Sequence, residues 1–193
     1  EFFLANAGYW VDEYHLDGLR IDATQQIFDE TEDHILAAIV RRVREVGAGR
    51  TTIVIGENER QEARFLRSPE QGGYGFDALW NDDFHHSATV ALTGHHEAYY
   101  NDYRGRPGEF LAAAKHGFLY QGQRYQWQKN PRGSPSLDLA AECFVVFLQN
   151  HDQIANSGGG RRCHALASPG RLRAMTAYSL LMPGIPMLFQ GQE

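Results

Sequence analysis

Short runs of Ile, Val, Leu and Phe recur along this chain, separated by stretches whose apolar residues fall three and four positions apart. The first pattern predicts buried strands, the second helices packed on one face. A helix is expected over residues 2–14 and a strand over 16–21. Residues 31–46 place Ile35, Ile39, Val43 and Val46 at helical spacing, with Asp29 three residues before Glu32 as a capping signal. Gly47-Ala48-Gly49 ends that helix ahead of a strand over 51–55. A short helix at 62–66, a turn at Gly72-Gly73, a strand at 76–80 and helices at 82–92 and 108–119 follow. Residues 121–138 read as loop and 144–149 as strand. Ser168 as N-cap and Pro169 in the first turn open a helix ending at Leu181, and Pro183-Gly184 separates it from a last strand at 186–190.

Continuously apolar strands alternating with helices imply an α/β fold with a parallel sheet covered by helices. Five strands are too few for a complete (β/α)8 barrel, which typically takes about 250 residues. They fit the C-terminal half of one, as a single partial catalytic domain over residues 1–193. An open doubly wound sheet is the alternative. No Gly-x-Gly-x-x-Gly follows any strand, which argues against its dinucleotide-binding form.

Composition narrows the partners. A net charge of −6 without a long basic run argues against nucleic acid. No apolar stretch reaches the ~18 residues of a membrane span. Cys143 and Cys163 form no disulfide-like pattern, so a reducing, cytoplasmic setting is expected. The opening helix lacks a cap and the closing strand lacks cover, so both ends read as interrupted.

Three of the apolar strands end in acids: Arg20-Ile21-Asp22, Gly56-Glu57 and Asn150-His151-Asp152. Arg20 and Asp22 are two apart in a strand, so they share a face, and the cation favours an ionised, oriented carboxylate. A structural ion pair is the bland alternative. Glu57 suits a general acid if it faces the same cavity near another carboxylate; otherwise it caps the next helix. His151 beside Asp152 suits gripping sugar hydroxyls, or else a turn in which Asn150 and Asp152 bond their own backbone. A series of such tips points to bond-breaking on a neutral polar substrate.

Asp17-Gly18-Leu19-Arg20-Ile21-Asp22-Ala23 resembles the strand-4 signature of the α-amylase superfamily of glycoside hydrolases. Gly56-Glu57 is similar to its strand-5 signature, Asn150-His151-Asp152 to its strand-7 signature, and the segment from Gly184 to Glu193 to its strand 8. Trp80-Asn81-Asp82-Asp83-Phe84-His85-His86, and the stretch from Asn150 to Asn156 leading into Gly160-Arg161-Arg162, resemble the maltooligosyltrehalose trehalohydrolase family. Glycogen branching enzymes are the runner-up, and a non-catalytic carbohydrate-binding protein is the alternative of another class.

The resemblance implies a retaining mechanism with Asp22 as nucleophile, Glu57 as general acid and base, and Asp152 as transition-state stabiliser. It implies substrate contacts from Arg20, His151, Gln25, Trp80, Asp82, Asp83, Phe84 and Gln153. The substrate would be an α-glucan ending in trehalose, with no metal or organic cofactor. Thr24-Gln25-Gln26 stands where the family usually has a His, and the strand-3 signature is absent. The 193-residue piece alone is therefore expected to be inactive. The pairs His85-His86 and His95-His96 suit capping and hydroxyl contacts better than zinc, since no Cys joins them. Gly158-Gly159-Gly160 reads as a mobile loop rather than a phosphate cradle.

Overall fold

The computed structural model describes residues 1–47 and 49–192. Ala48, inside the expected helix-ending turn, and Glu193, the last residue of the strand-8 segment, lie outside the described residues. The chain forms two compact units, Glu1–Trp80 and the remainder from Asn81.

The first unit runs α1 (Phe2–Asp12), β1 (Gly18–Ile21), α2 (Ile35–Val46), β2 (Ile53–Gly56) and β3 (Ala78–Trp80). Its strands are parallel in the order β1-β2-β3, with Leu19 opposite Val54 and Ile55 opposite Ala78. Leu36, Ile39, Val40 and Val43 bury one face of α2, while Arg41, Arg42 and Arg44 keep the other in water. α1 packs on α2 and buries Val11 completely. Gly18 is required by a close approach: a Cβ there would lie 1.8 Å from the carbonyl oxygen of Ile53.

α2 starts at Ile35, four residues later than its spacing predicts. The Asp29 carboxylate accepts the N–H groups of Thr31 at 3.0 Å and Ile35 at 2.6 Å, which folds the intervening residues into a loop. His34 then caps the helix, its Nδ1 accepting the Leu36 N–H at 3.2 Å.

The second unit contains α3 (Asp82–Thr93), α4 (Pro107–His116), a hairpin of β4 (Arg124–Tyr125) and β5 (Asn130–Pro131), β6 (Phe144–Phe147), α5 (His151–Ala155), α6 (Cys163–Leu166), α7 (Pro169–Leu181) and β7 (Ile185–Met187). β6 is buried throughout and pairs with β7 in parallel, Val146 opposite Pro186. The hairpin falls inside the stretch expected as loop. α4 stops at His116 because Gly117 adopts φ +73°, where an added Cβ would strike the Phe144 ring. Ser168 Oγ accepts the Arg171 N–H at 3.4 Å, as the sequence predicts for the start of α7. The core joins Phe84 and Ala88 of α3 to Ala113, Val146, Leu148 and Met182. In both units parallel strands alternate with helices, the construction of a partial (β/α)8 barrel.

The hub of the second unit is polar. Arg132, with no exposed side-chain surface, places Nε 3.3 Å from Asp83 Oδ1 and its guanidinium over the Tyr125 ring. Asp83 also accepts the Tyr103 hydroxyl at 2.5 Å and the N–H groups of Leu119 and Tyr120, each at 2.8 Å. Deleting one side of a buried ion pair strands the other without water. Asp83→Ala should therefore lower unfolding stability by roughly 3–5 kcal/mol, and Tyr103→Phe by about 1 kcal/mol, in urea titrations. A loss below about 1 kcal/mol for Asp83→Ala would show that Arg132 finds other partners.

Candidate active site

Arg20 and Asp22 sit at the C-terminal end of β1, and Glu57 directly follows β2. Ile21 stands opposite Gly56, and the Glu57 N–H continues the ladder by donating to the Ile21 carbonyl at 2.9 Å. Register alone thus sets Asp22 and Glu57 at the same level of two neighbouring strands. Arg20 Nη1 pairs with Asp22 Oδ1, and Arg20 Nη2 lies 2.8 Å from Glu57 Oε2 as an ion pair. The guanidinium carbon is 4.2 Å from the centre of the Trp80 ring, which fixes the plane of the fork. The Asp22 side chain is 74% exposed, so an incoming molecule can reach it; that of Glu57 is 23% exposed.

The loop after Asp22 is tied to the loop after β2. Ala23 adopts φ +41° and ψ +47°, and its N–H donates to Glu57 Oε2 at 3.0 Å. Thr24 donates to the Glu57 main-chain carbonyl from both its N–H, at 2.9 Å, and its hydroxyl, at 2.6 Å. Gln25 Oε1 accepts the Glu59 N–H at 3.2 Å. A cavity of about 570 Å³ opens beside Thr24 and Gln25, lined by polar groups including Glu30, Arg60 and Glu62 and by Tyr74, whose ring stacks on His34 at 4.4 Å.

In the second unit, Asn150 and Gln153 form a capping box on α5: Asn150 Oδ1 accepts the Asp152 N–H, and Gln153 Oε1 the Asn150 N–H, both at 2.8 Å. Asp152 lies in the first turn, 3.6 Å from His151 Nε2 and 2.7 Å from Asn156 Nδ2, which donates to it. Gln153 also lines a cavity of about 340 Å³ with Tyr100, Gln149 and Arg161. Beneath this turn His85 donates from Nδ1 to the Leu148 carbonyl at 2.9 Å and stacks on Phe147. Burial pushes the His85 pKa down to about 4, against the pull of Asp152, and burial also lowers that of His86.

Three of the expected substrate contacts are corrected. Phe84 is 1% exposed and packs on Phe110 and Tyr178 in the core, so it offers no platform to a sugar. Asp83 is committed to Arg132, Tyr103 and two backbone N–H groups. Trp80 is buried and supports Arg20 rather than presenting a face to solvent. In each case a consecutive motif alternates direction, so only part of it can face one site. Asp82 retains partial exposure, 3.9 Å from Arg132 Nη2. His95 pairs with Glu97 at 2.5 Å. Among the described residues no group of three His, Cys, Asp or Glu is arranged to hold a metal ion, and no helix is long and apolar enough to cross a membrane. Thr24 and Asn58 also build the site. Their only signal was adjacency to the two acidic motifs.

No family model matches the chain. It is 38% identical along its whole length to the malto-oligosyltrehalose trehalohydrolase of Saccharolobus solfataricus, covering 34% of that protein. Against the enzyme of the same name from Deinococcus radiodurans the identity is 37%, over 31% of the relative. The 1,4-alpha-glucan branching enzyme GlgB of Rhodococcus jostii is 24% identical over 26% of its length. A 1.4 Å crystal structure of a candidate alpha amylase from Salmonella typhimurium superposes with a TM-score of 0.90 at 40% identity, covering 98% of this chain and 33% of that one. The chain thus spans about a third of the length of the curated relatives it matches.

His85 gives a pH test. Its folded pKa lies below its ordinary value of 6.5, so between about pH 6.5 and 4 the unfolded chain binds the extra proton. Stability should fall as pH drops through that window, by on the order of 3 kcal/mol from this group alone. His86 acts in the same direction. Urea unfolding across the window should show a shallower slope for His85→Gln; an unchanged slope would mean the imidazole is not buried neutral.

Proposed function

We propose that the chain, similar along its whole length to malto-oligosyltrehalose trehalohydrolases, carries the catalytic acids of a retaining trehalohydrolase of the α-amylase superfamily. The bond cleaved is the α-1,4-glucosidic bond next to the terminal trehalose of a maltooligosyltrehalose. One observation carries this reading: a single guanidinium, Arg20, reaches both Asp22 and Glu57 at the ends of adjacent parallel strands. Two carboxylates so close suit a double displacement, for which a separation of about 5–5.5 Å is typical, better than direct attack by water.

Asp22, the more exposed acid, attacks the anomeric carbon while Glu57 protonates the departing glycosidic oxygen. Glu57 then takes a proton from water, whose oxygen displaces Asp22 and frees the glucan. Asp152 opposes the positive charge that develops on the sugar ring, and His151 grips its hydroxyls. The trehalose unit leaves toward the polar cavity beside Thr24 and Gln25, whose carboxylates, guanidinium groups and stacked Tyr74 suit a neutral disaccharide. Gln153 and Asp82 remain candidate contacts for the glucan. The chemistry needs only carboxyl groups and water, and the site is read as cytoplasmic.

Product analysis tests the assignment. The product of the complete gene, given maltooligosyltrehalose, should release trehalose as its main product. Asp22→Asn should lower the rate roughly a thousandfold or more. New α-1,6 branches on glycogen would instead favour a branching enzyme. Equal rates for wild type and Asp22→Asn would leave only a carbohydrate-binding role.

A further inference from the structure

We infer that Thr24, with Asn58 behind it, is a positioning residue for Glu57, holding the acid–base carboxyl in step with the nucleophile two residues upstream. The inference rests on the catalytic roles proposed for Asp22 and Glu57.

Three consecutive residues of one loop bond Glu57 and Glu59 of the other. Ala23 bonds the Glu57 carboxylate, Thr24 bonds the Glu57 carbonyl twice, and Gln25 bonds the Glu59 N–H. Thr24 and Asn58 are each 1% exposed. Buried polar side chains persist where their hydrogen bonds are met, and here the pattern admits one arrangement. Asn58 Oδ1 accepts the Glu62 N–H at 3.0 Å, which turns Nδ2 toward Thr24 Oγ1 at 3.1 Å. With its lone pairs facing Asn58, the Thr24 hydroxyl directs its own proton to the Glu57 carbonyl. Two residues chosen only to fill space would not need this chain of donors.

Backbone strain supports the same reading. Ala23 is an alanine in the left-handed region, a conformation unfavourable for a residue with a Cβ that persists where surrounding bonds enforce it. The bonds that enforce it are those of Thr24 to Glu57. What the conformation gains is the aim of the Ala23 N–H at the Glu57 side chain. The main chain therefore links Asp22, the strained residue and the clamp in three successive positions, so the clamp sets where one carboxyl lies relative to the other.

A positioning role is separable from a structural one by the leaving group. An O-glycosidic bond needs a proton from Glu57 as the C–O bond breaks. With α-maltosyl fluoride, Asp22 forms its bond to carbon while fluoride departs as the anion, and no proton is required. In the second step azide can displace Asp22 without a base. The product of the complete gene and its Thr24→Val variant should be compared on maltooligosyltrehalose and on α-maltosyl fluoride. We expect kcat/KM to fall about ten- to a hundredfold on the first substrate and to stay within about twofold on the second. Azide should raise turnover of the fluoride more for Thr24→Val than for wild type, and Thr24→Ser should restore the natural rate. If Thr24→Val does not fold by circular dichroism, Asn58→Ala carries the same comparison. Equal losses on both substrates, or no loss on either with an active wild type, would overturn the inference. A wild-type protein inactive on both substrates would instead remove the proposed function, and the clamp's role with it.

Discussion

The Arg20 guanidinium is the contact on which the site depends, and strand register delivers it. Gly18 lets β1 approach β2 closely enough to pair, and the parallel ladder then carries Ile21 to Gly56. One step further stand Asp22 and Glu57. Two like charges at neighbouring strand ends repel, and a planar fork with several donors is the side chain best suited to hold both. Trp80 fixes the plane of that fork from the end of β3. A lysine at position 20 would supply the charge but neither the second directed donor nor the flat face for the indole.

The chain uses carboxylates in two opposite ways, and exposure separates them. Asp83 has no exposed side-chain surface and spends its oxygens on Arg132, Tyr103 and the backbone. It has the character of a structural centre, and its removal is felt in folding. Asp22 keeps most of its surface in solvent and has one described side-chain partner, so it is available to a reacting molecule. Glu57 lies between these limits. Its main chain is locked by Ile21 and Thr24, while its side chain is held at Oε2 by Ala23 and Arg20. For the acid–base role proposed for Glu57, a fixed backbone gives the carboxyl a defined origin from which to reach a leaving oxygen.

Much of this was legible in the sequence because strands and helices write themselves as hydrophobic period. Of the expected stripe Ile35, Ile39, Val43 and Val46, the middle two are buried in α2 and the outer two half-buried, and the acid-tipped strands mark where chemistry is possible. Boundaries were less legible. Asp29 signals a cap, yet its carboxylate closes a loop first and the helix waits until Ile35. The run from Trp80 to Phe84 reads as a block of sugar contacts, but a strand end passing into a helix turns successive side chains in different directions. Trp80 supports Arg20, Asp83 enters a buried network and Phe84 joins the core. Arg132 gave no signal at all, since nothing local in a polar stretch tells that its charge is wanted inside. Thr24 and Asn58 escaped for a related reason: their meaning lies in a pairing between loops more than thirty residues apart.

Trapping the covalent intermediate identifies the carboxylate that attacks the sugar. The product of the complete gene is incubated with a 5-fluoro-α-glucosyl fluoride, whose second fluorine slows release of the sugar, then digested and read by mass spectrometry. A single glycosylated peptide is expected, with the sugar on Asp22. A sugar on Glu57 or Asp152, or hydrolysis of the reagent with no labelled peptide under any quench, would contradict that assignment.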